Sequence, residues 1–243
     1  MKSANGDARA LEVTHEIPGL ELGRPTYQTS PQEAGYRTEV KKVRYLNEKE
    51  LNRCVDLGTT NFKHQQGLRD FILRYYFSDG DRDLILTYQK DEIVAFHEAT
   101  ILDIKKSKII DHSFSVVDKE HRRRGIDKRA NQLRYEWCIE QGCAYASFKT
   151  ASPYMAERRM KDGFKNPLLN LVSDDDCDLL EIGLKIGNAR GEDIDGNLVV
   201  TKNDKDGNVY YSEAKTKPAK NDMINKRFEI LYPNQRLRFV RKL

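Results

Sequence analysis

The strongest chemical signal in the chain is the run Val117 to Asp127, VDKEHRRRGID. A strand-like run leads into it and a helical pattern leads out, so it joins a strand end to a helix start. A helix N-terminus presents free backbone N–H groups and the positive end of the helix dipole, which together hold a phosphate or diphosphate. Gly125 lets the backbone approach such a ligand with no side chain in the way. Arg122, Arg123, Arg124, Lys128 and Arg129 can add charge towards phosphate oxygens. Three arginines before a glycine also describe an ordinary solvated basic turn, so the surrounding elements must decide.

Those elements fall into a regular order. Residues 1–38 contain Pro18, Pro25 and Pro31 with no sustained periodicity, and predict an extended arm. A short strand at Lys41–Leu46 is followed by a helix from an Asn47 cap to Leu57, and by a second helix over about Gln65–Phe77. Three strands follow, Leu84–Tyr88, Glu92–Ile101 and Lys108–Val117, joined by short polar connections that make an antiparallel meander. A helix over Arg124–Gln141 ends at Gly142, and Cys143–Phe148 is the next strand. Ser152 and Pro153, as N-cap and N1 proline, open a helix that ends before Gly163. Leu168–Val172 and Leu179–Ile186 read as further strands about the acidic turn 173–176. Residues 187–222 read as an insertion with a hairpin near Asp206-Gly207-Asn208, and Arg227–Val240 as terminal strands. A helix between two parallel strands is a right-handed crossover, so the sheet is expected to be mixed.

In this setting Arg122-x-x-Gly125-x-Asp127 resembles the acetyl-CoA pyrophosphate loop of the GNAT N-acetyltransferase superfamily, Arg/Gln-x-x-Gly-x-Gly/Ala. Val117 stands five residues before Arg122, where the family has its strand-end valine. Downstream, Ala156-x-x-Arg159-x-x-x-Gly163-Phe164 is similar to the family's Ala-x-x-Tyr-x-x-x-Gly-Phe element. The resemblance runs from about Lys41 to Phe164, half of the 243 residues. It implies an α/β fold: a mixed, mostly antiparallel, twisted sheet with helices on both faces and splayed central parallel strands, with a β-rich C-terminal extension. The implied plan is an arm at 1–38, an acyl-CoA-binding domain at 39–186 and the extension at 187–243. Acetyl-CoA, as co-substrate, would lie where the strands ending at Val117 and Phe148 splay apart. Ser115, Val116 and Val117 would pair with its pantetheine arm. Arg122, Arg123, Arg124, Gly125, Ile126, Asp127 and Lys128 would hold its diphosphate.

The family reaction is direct acetyl transfer to a neutral amine, with a base to take the amine proton. Asp111 lies six residues before Val117, matching the general-base position of the histone acetyltransferase branch, and Glu98 is the second candidate. Asp111, Ser113, Ser115 and Val117 share one face by strand alternation. His97 and His112 stand behind them. Two positions depart from the pattern. Asp127 replaces Gly or Ala, and two like charges about 5 Å apart at an effective dielectric near 20 repel by about 3 kcal/mol. Arg159 replaces the tyrosine that protonates the CoA thiolate. It stays charged and could only stabilise the thiolate electrostatically. Tyr154 is the substitute proton donor.

Composition narrows the classes. The formal net charge of +4 is a mild excess, too small to argue for nucleic acid by itself. Four cysteines without CxxC or Cys/His spacing exclude a zinc motif, and no GxxxxGK[ST] loop is present. The chain lacks an apolar run of membrane-spanning length and an apolar stretch at its start, so a soluble, cytoplasmic protein without metal is expected, with a homodimer allowed. The acceptor amine is open: small molecule, protein or modified nucleobase, the last suggested by a Lys/Arg-rich tail after Lys215. The rival reading is a GNAT-fold binding module that no longer transfers an acyl group, favoured by Asp127 and Arg159.

Overall fold

The computed structural model describes residues 35–61, 69, 72–73, 77–104, 107–112, 114–169, 176–201, 217–232 and 235–243. Strand β1 (Tyr36–Lys42) begins inside the stretch expected as arm and runs through a 3-10 turn (Val43–Tyr45) into helix α1 (Glu48–Asn61). The Asn47 cap is reciprocal: its Oδ1 accepts from the Glu50 N–H at 2.9 Å, and Glu50 Oε2 accepts from the Asn47 N–H at 3.0 Å. Most of the expected second helix, Gln65–Phe77, lies outside the described residues. Strands β2 (Asp83–Gln89) and β3 (Glu92–Ile104) form a hairpin.

The third strand of the meander is divided. Strand β4 (Ser107–His112) pairs antiparallel with residues 100–104 of β3, and β5 (Ser115–Val117) pairs with residues 95–97 of the same strand. Helix α2 (Ile126–Glu140) then crosses to strand β6 (Cys143–Thr150), which lies parallel to β4. That parallel pairing stops at His112↔Phe148. Beyond it β5 stays with β3, while β6 continues against strand β9 (Gln235–Lys242). The two central strands therefore diverge beyond His112 and Phe148.

Helix α3 (Pro153–Lys161) starts at Ser152, whose Oγ accepts from the Met155 N–H. Helix α4 (Cys177–Ala189) occupies the segment expected as the strand Leu179–Ile186. Leu180, Ile182, Leu184 and Ile186 alternate at period two, but Leu179, Ile182 and Ile186 also recur at helical spacing. Thirteen residues with Ile182 and Ile186 buried on one side suit the helix. Two of its glycines seat neighbouring side chains: a Cβ on Gly183 would come within 2.6 Å of Leu198, and one on Gly187 within 2.6 Å of Ile194. Of the expected strand at Leu168–Val172, Leu168 and Leu169 form a turn and the rest lies outside the described residues, as does the hairpin near Asp206. Strands β7 (Asp193–Ile194) and β8 (Val199–Thr201) and helix α5 (Asp222–Glu229) complete the chain. Arg227–Glu229, expected in a strand, close α5, where Lys226 and Arg227 complement the helix C-terminus.

The sheet order is β1-β2-β3-β4-β6-β9-β8-β7, with β5 beside β3. Alternation along the strands sorts the helices. Ile85, Ile110, Ala146 and Phe239 pack with Ala130, Leu133 and Trp137 of α2. Leu84, Leu86, Phe96 and Val116 pack with Cys54, Val55 and Leu57 of α1. Ile109 and Val240 pack with Ile182 and Ile186 of α4. So α2 and α3 cover one face, and α1 and α4 the other. The C-terminal segment is part of this sheet, because β9 pairs with β6 over Leu237–Lys242 and with β8 over Gln235–Leu237.

Candidate active site

A cleft of about 550 Å³ opens beside β5 at the head of α2. It is lined by β5, by the loop from His121 to Lys128, by Asn61 at the end of α1, and by Tyr154, Met155 and Arg158 of α3. Its volume is within the range of small-molecule sites. Four cations line it (Arg122, Arg123, Lys128 and Arg158) against the single carboxylate of Asp127, so it favours anions.

Strand alternation sets which backbone groups face the cleft. The Glu98 N–H donates to Phe114 O at 2.9 Å and the Asp118 N–H to Val94 O at 2.8 Å. Phe114, Val116 and Asp118 therefore direct their backbone groups at β3, while those of Ser115 and Val117 point outwards. Arg122 occupies the outward Val117 carbonyl, donating from Nε at 3.2 Å, and its Nη2 donates to Asn61 Oδ1, tying α1 to the end of β5. Arg53 ties the same region to the β2–β3 hairpin by donating to Ile93 O at 3.0 Å and to Asp118 Oδ2 at 2.7 Å.

At the head of α2, Gly125 is the N-cap residue at φ 74°, and no side chain caps the first turn. A left-handed φ is accessible to glycine without the Cβ penalty of other residues. Arg123 shares that region at φ 65° and carries the corresponding strain. The arginines do not all converge. Arg122, Arg123 and Lys128 line the cleft, whereas Arg124 donates to Tyr36 Oη at 3.1 Å and Arg129 to Arg124 O at 3.0 Å.

Asp127 and Arg159, the two departures from the family pattern, share one charge cluster. Asp127 Oδ2 is 2.9 Å from Arg158 Nη2 and 3.9 Å from Arg159 Nη2, and Oδ1 is 3.9 Å from His97 Nδ1. Burial pushes the Asp127 carboxyl up, but His97, Arg159, Arg158 and Arg134 together pull it below its usual range. Arg159 is buried, also paired with Asp162 at 3.3 Å, and does not line the cleft.

Of the acid/base candidates, only Tyr154 lines the cleft. Its ring lies under Lys217, whose Nζ is 4.4 Å from the ring centroid. Asp111 is buried on the α4 face. Its carboxylate accepts from Ser147 Oγ at 2.9 Å, Arg238 Nη1 at 2.8 Å and Arg190 Nε at 3.1 Å. Burial raises its pKa, and the charges of Arg238, Arg190 and Lys149 more than reverse this. Glu98 is fully buried on the α1 face, where it accepts from Thr100 Oγ1 and lies 3.7 Å from Arg82. Ser113 lies outside the described residues. Sequence reading missed Asn61, His121, Met155 and Arg158. Arg158 was within reach, since it stands one helical turn after Tyr154 on the same face.

His97 and His112 are enclosed beneath α2 and α3. Burial, then Arg134 and Arg159, bring His97 from its ordinary 6.5 down to about 3 against the pull of Asp127. Burial and the same two arginines also lower His112. The unfolded chain thus takes up protons near pH 6.5 that the folded chain refuses until far lower pH. Stability is complete above pH 6.5 and falls as pH drops through this window. At pH 5 His97 alone is expected to cost about 2 kcal/mol. Urea unfolding at pH 7.5 and pH 5 measures the loss, and His97→Leu should shrink it. Asp111 and Asp127 do not contribute to the difference between pH 7.5 and pH 5, because their stabilisation is lost only as pH falls below the ordinary carboxylate range.

A mixed sheet, a parallel pair that stops at His112↔Phe148 and a cleft at the uncapped head of α2 make up the arrangement that the resemblance of the sequence implies. No family model matches the chain, and no curated protein matches it in sequence. Among solved structures, it is similar to an aminoglycoside acetyltransferase, meta-AAC0020, from an uncultured soil metagenomic sample. Identity is 12%, coverage 53% of this chain and 86% of that one, and the TM-score 0.44. PH1933 from Pyrococcus horikoshii OT3 gives 17% identity, 53% and 89% coverage and a TM-score of 0.42. Aminoglycoside N-acetyltransferase AAC(6')-Iy in complex with CoA gives 12%, 53% and 87%, and 0.41. Among the described residues, no helix is long and apolar enough to cross a membrane, and no His/Cys/Asp/Glu group could hold a metal ion.

Proposed function

We propose that the protein is an acetyl-CoA-dependent N-acyltransferase that transfers an acetyl group directly to an amine. One observation carries this reading: a single cleft combines the outward backbone edge of Ser115 and Val117, the uncapped first turn of α2 among Arg122, Arg123 and Lys128, and the Tyr154 side chain. Pantetheine amides pair with the strand edge, and the diphosphate takes the helix head. The acceptor amine attacks the thioester carbonyl carbon and the C–S bond breaks. The CoA thiolate leaves with a proton from Tyr154, and the amine proton passes to solvent. Arg158, paired with Asp127 at 2.9 Å, offsets part of the repulsion that this carboxylate would exert.

The binding-module reading retains one specific support: Asp111 and Glu98, the candidate bases, are both engaged away from the cleft. Isothermal titration separates the two. Acetyl-CoA is expected to bind with micromolar affinity, and Arg123→Glu to weaken it by about 10- to 100-fold, the worth of one charged phosphate contact. No detectable binding of acetyl-CoA or CoA would end the enzyme reading.

A further inference from the structure

Arg134 is a fully buried arginine on the inner side of α2. Its Nη1 donates to Asn131 Oδ1 at 3.2 Å, while Nε and Nη2 have no hydrogen-bond partner among the described residues. The same is true of both ring nitrogens of His97, of His112 Nε2 and of Tyr135 Oη. These groups belong to one neighbourhood. The His112 and Tyr135 rings stack at 5.6 Å, and the charge of Arg134 bears on His97, His112 and Tyr135 alike. Natural interiors seldom leave so many buried polar atoms unpaired in one place, and an enclosed ion or water is one physical account of such a cluster.

Charge identifies that species. Arg158 has Asp127 at 2.9 Å, and Arg159 has Asp162 at 3.3 Å and Asp127 at 3.9 Å. Arg134 has only an amide oxygen. The carboxylates that act on it lie beyond hydrogen-bonding distance and serve other cations: Asp127 is shared by Arg158 and Arg159, and Glu98, on the other face of the sheet, is 3.7 Å from Arg82. Water can satisfy donors but cannot neutralise a buried guanidinium, whose desolvation demands a counter-charge. The unpaired groups are also rich in donors: Arg134 supplies several N–H groups, each neutral imidazole one, and Tyr135 an O–H. Arg134 does not line the cleft, so the occupant is a species small enough to be enclosed between α2 and the strands.

We propose that this cluster of unpaired buried groups binds a single small monovalent inorganic anion, chloride under physiological conditions, held by Arg134 with His97, His112 and Tyr135. It lies beneath the helix whose head lines the cleft, and it stands whether or not the chain transfers acyl groups.

Bromide is the probe. At matched ionic strength, sodium bromide is expected to raise the wild-type melting temperature by about 3 °C over sodium gluconate. The Arg134→Met variant should melt at the same temperature in both salts. Should that variant not fold, crystals of the wild-type protein grown with bromide decide the question by anomalous scattering. A peak within hydrogen-bonding distance of Arg134 Nη2 supports the site. Equal melting temperatures in the two salts for the wild type, or density for water alone beside Arg134, would overturn it.

Discussion

Arg238→Met is expected to lower the free energy of unfolding by about 3 to 5 kcal/mol, the range for removing one partner of a buried ion pair. Arg238 is fully buried. It donates to Asp111 Oδ1 at 2.8 Å and Ser147 Oγ at 2.6 Å, and its other nitrogen pairs with Glu192. Methionine keeps the length and apolar stem of the side chain but leaves Asp111 with Arg190 as its one remaining ion-pair partner among the described residues. The cost is therefore the desolvation of a carboxylate that has lost its main counter-charge. Urea unfolding followed by circular dichroism measures it, and a loss below about 1 kcal/mol would count against the network as a stabilising unit. The double variant Asp111→Leu/Arg238→Met should recover much of the loss, because an apolar pair of similar volume needs no counter-charge. Acid sharpens the comparison. The Asp111 carboxyl is held below its usual range, so its contribution is present above the unfolded carboxylate pKa and is lost as pH falls below it. The double variant should lack that component.

Tyr154→Phe is expected to reduce kcat for acetyl transfer by about 100-fold or more, within the span of a general acid, while acetyl-CoA binding stays within about 2-fold. Phenylalanine retains the ring, its contact with Lys217 and the packing of α3, and removes only the O–H. The helix that carries it is fixed at both ends of the relevant turn: Ser152 and Pro153 set its start, and Arg158 ties it to Asp127 at the head of α2. Turnover assayed against a panel of amines, with titration of each variant by acetyl-CoA, separates loss of chemistry from loss of binding. Unchanged kcat in Tyr154→Phe would remove Tyr154 from the proton transfer. A parallel fall in affinity would recast it as a binding residue.

Much of the site is legible in the sequence. The loop Val117–Asp127 follows a strand and opens a helix, as its spacing predicts, because Gly125 and the helical pattern after it are local features. The Asn47 cap and the Ser152-Pro153 start are readable for the same reason: capping depends on residues three or four apart. The misreading at Leu179–Ile186 also has a local origin. That run satisfies both a period of two and a period near 3.6, and propensity alone cannot choose between them. Its packing against Leu198 and Ile194 can, and those contacts come from residues later in the chain.

What the sequence determined by itself is the strand–loop–helix at Val117–Asp127, the helix starts at Asn47 and Ser152, and the departures at Asp127 and Arg159, since each rests on residues close together in the chain. Only the tertiary structure decided where the charges go. Arg124 turns to Tyr36, 88 residues away, and Asp111 meets Arg238, 127 residues away. Asp127 finds Arg158 on the next helix, and Arg134 ends beneath α2 without a counter-charge at hydrogen-bonding distance among the described residues. A charged side chain can reach many partners from one backbone position. Which one it meets follows from how the strands order themselves in the sheet, and that order is set by the sum of long-range packing.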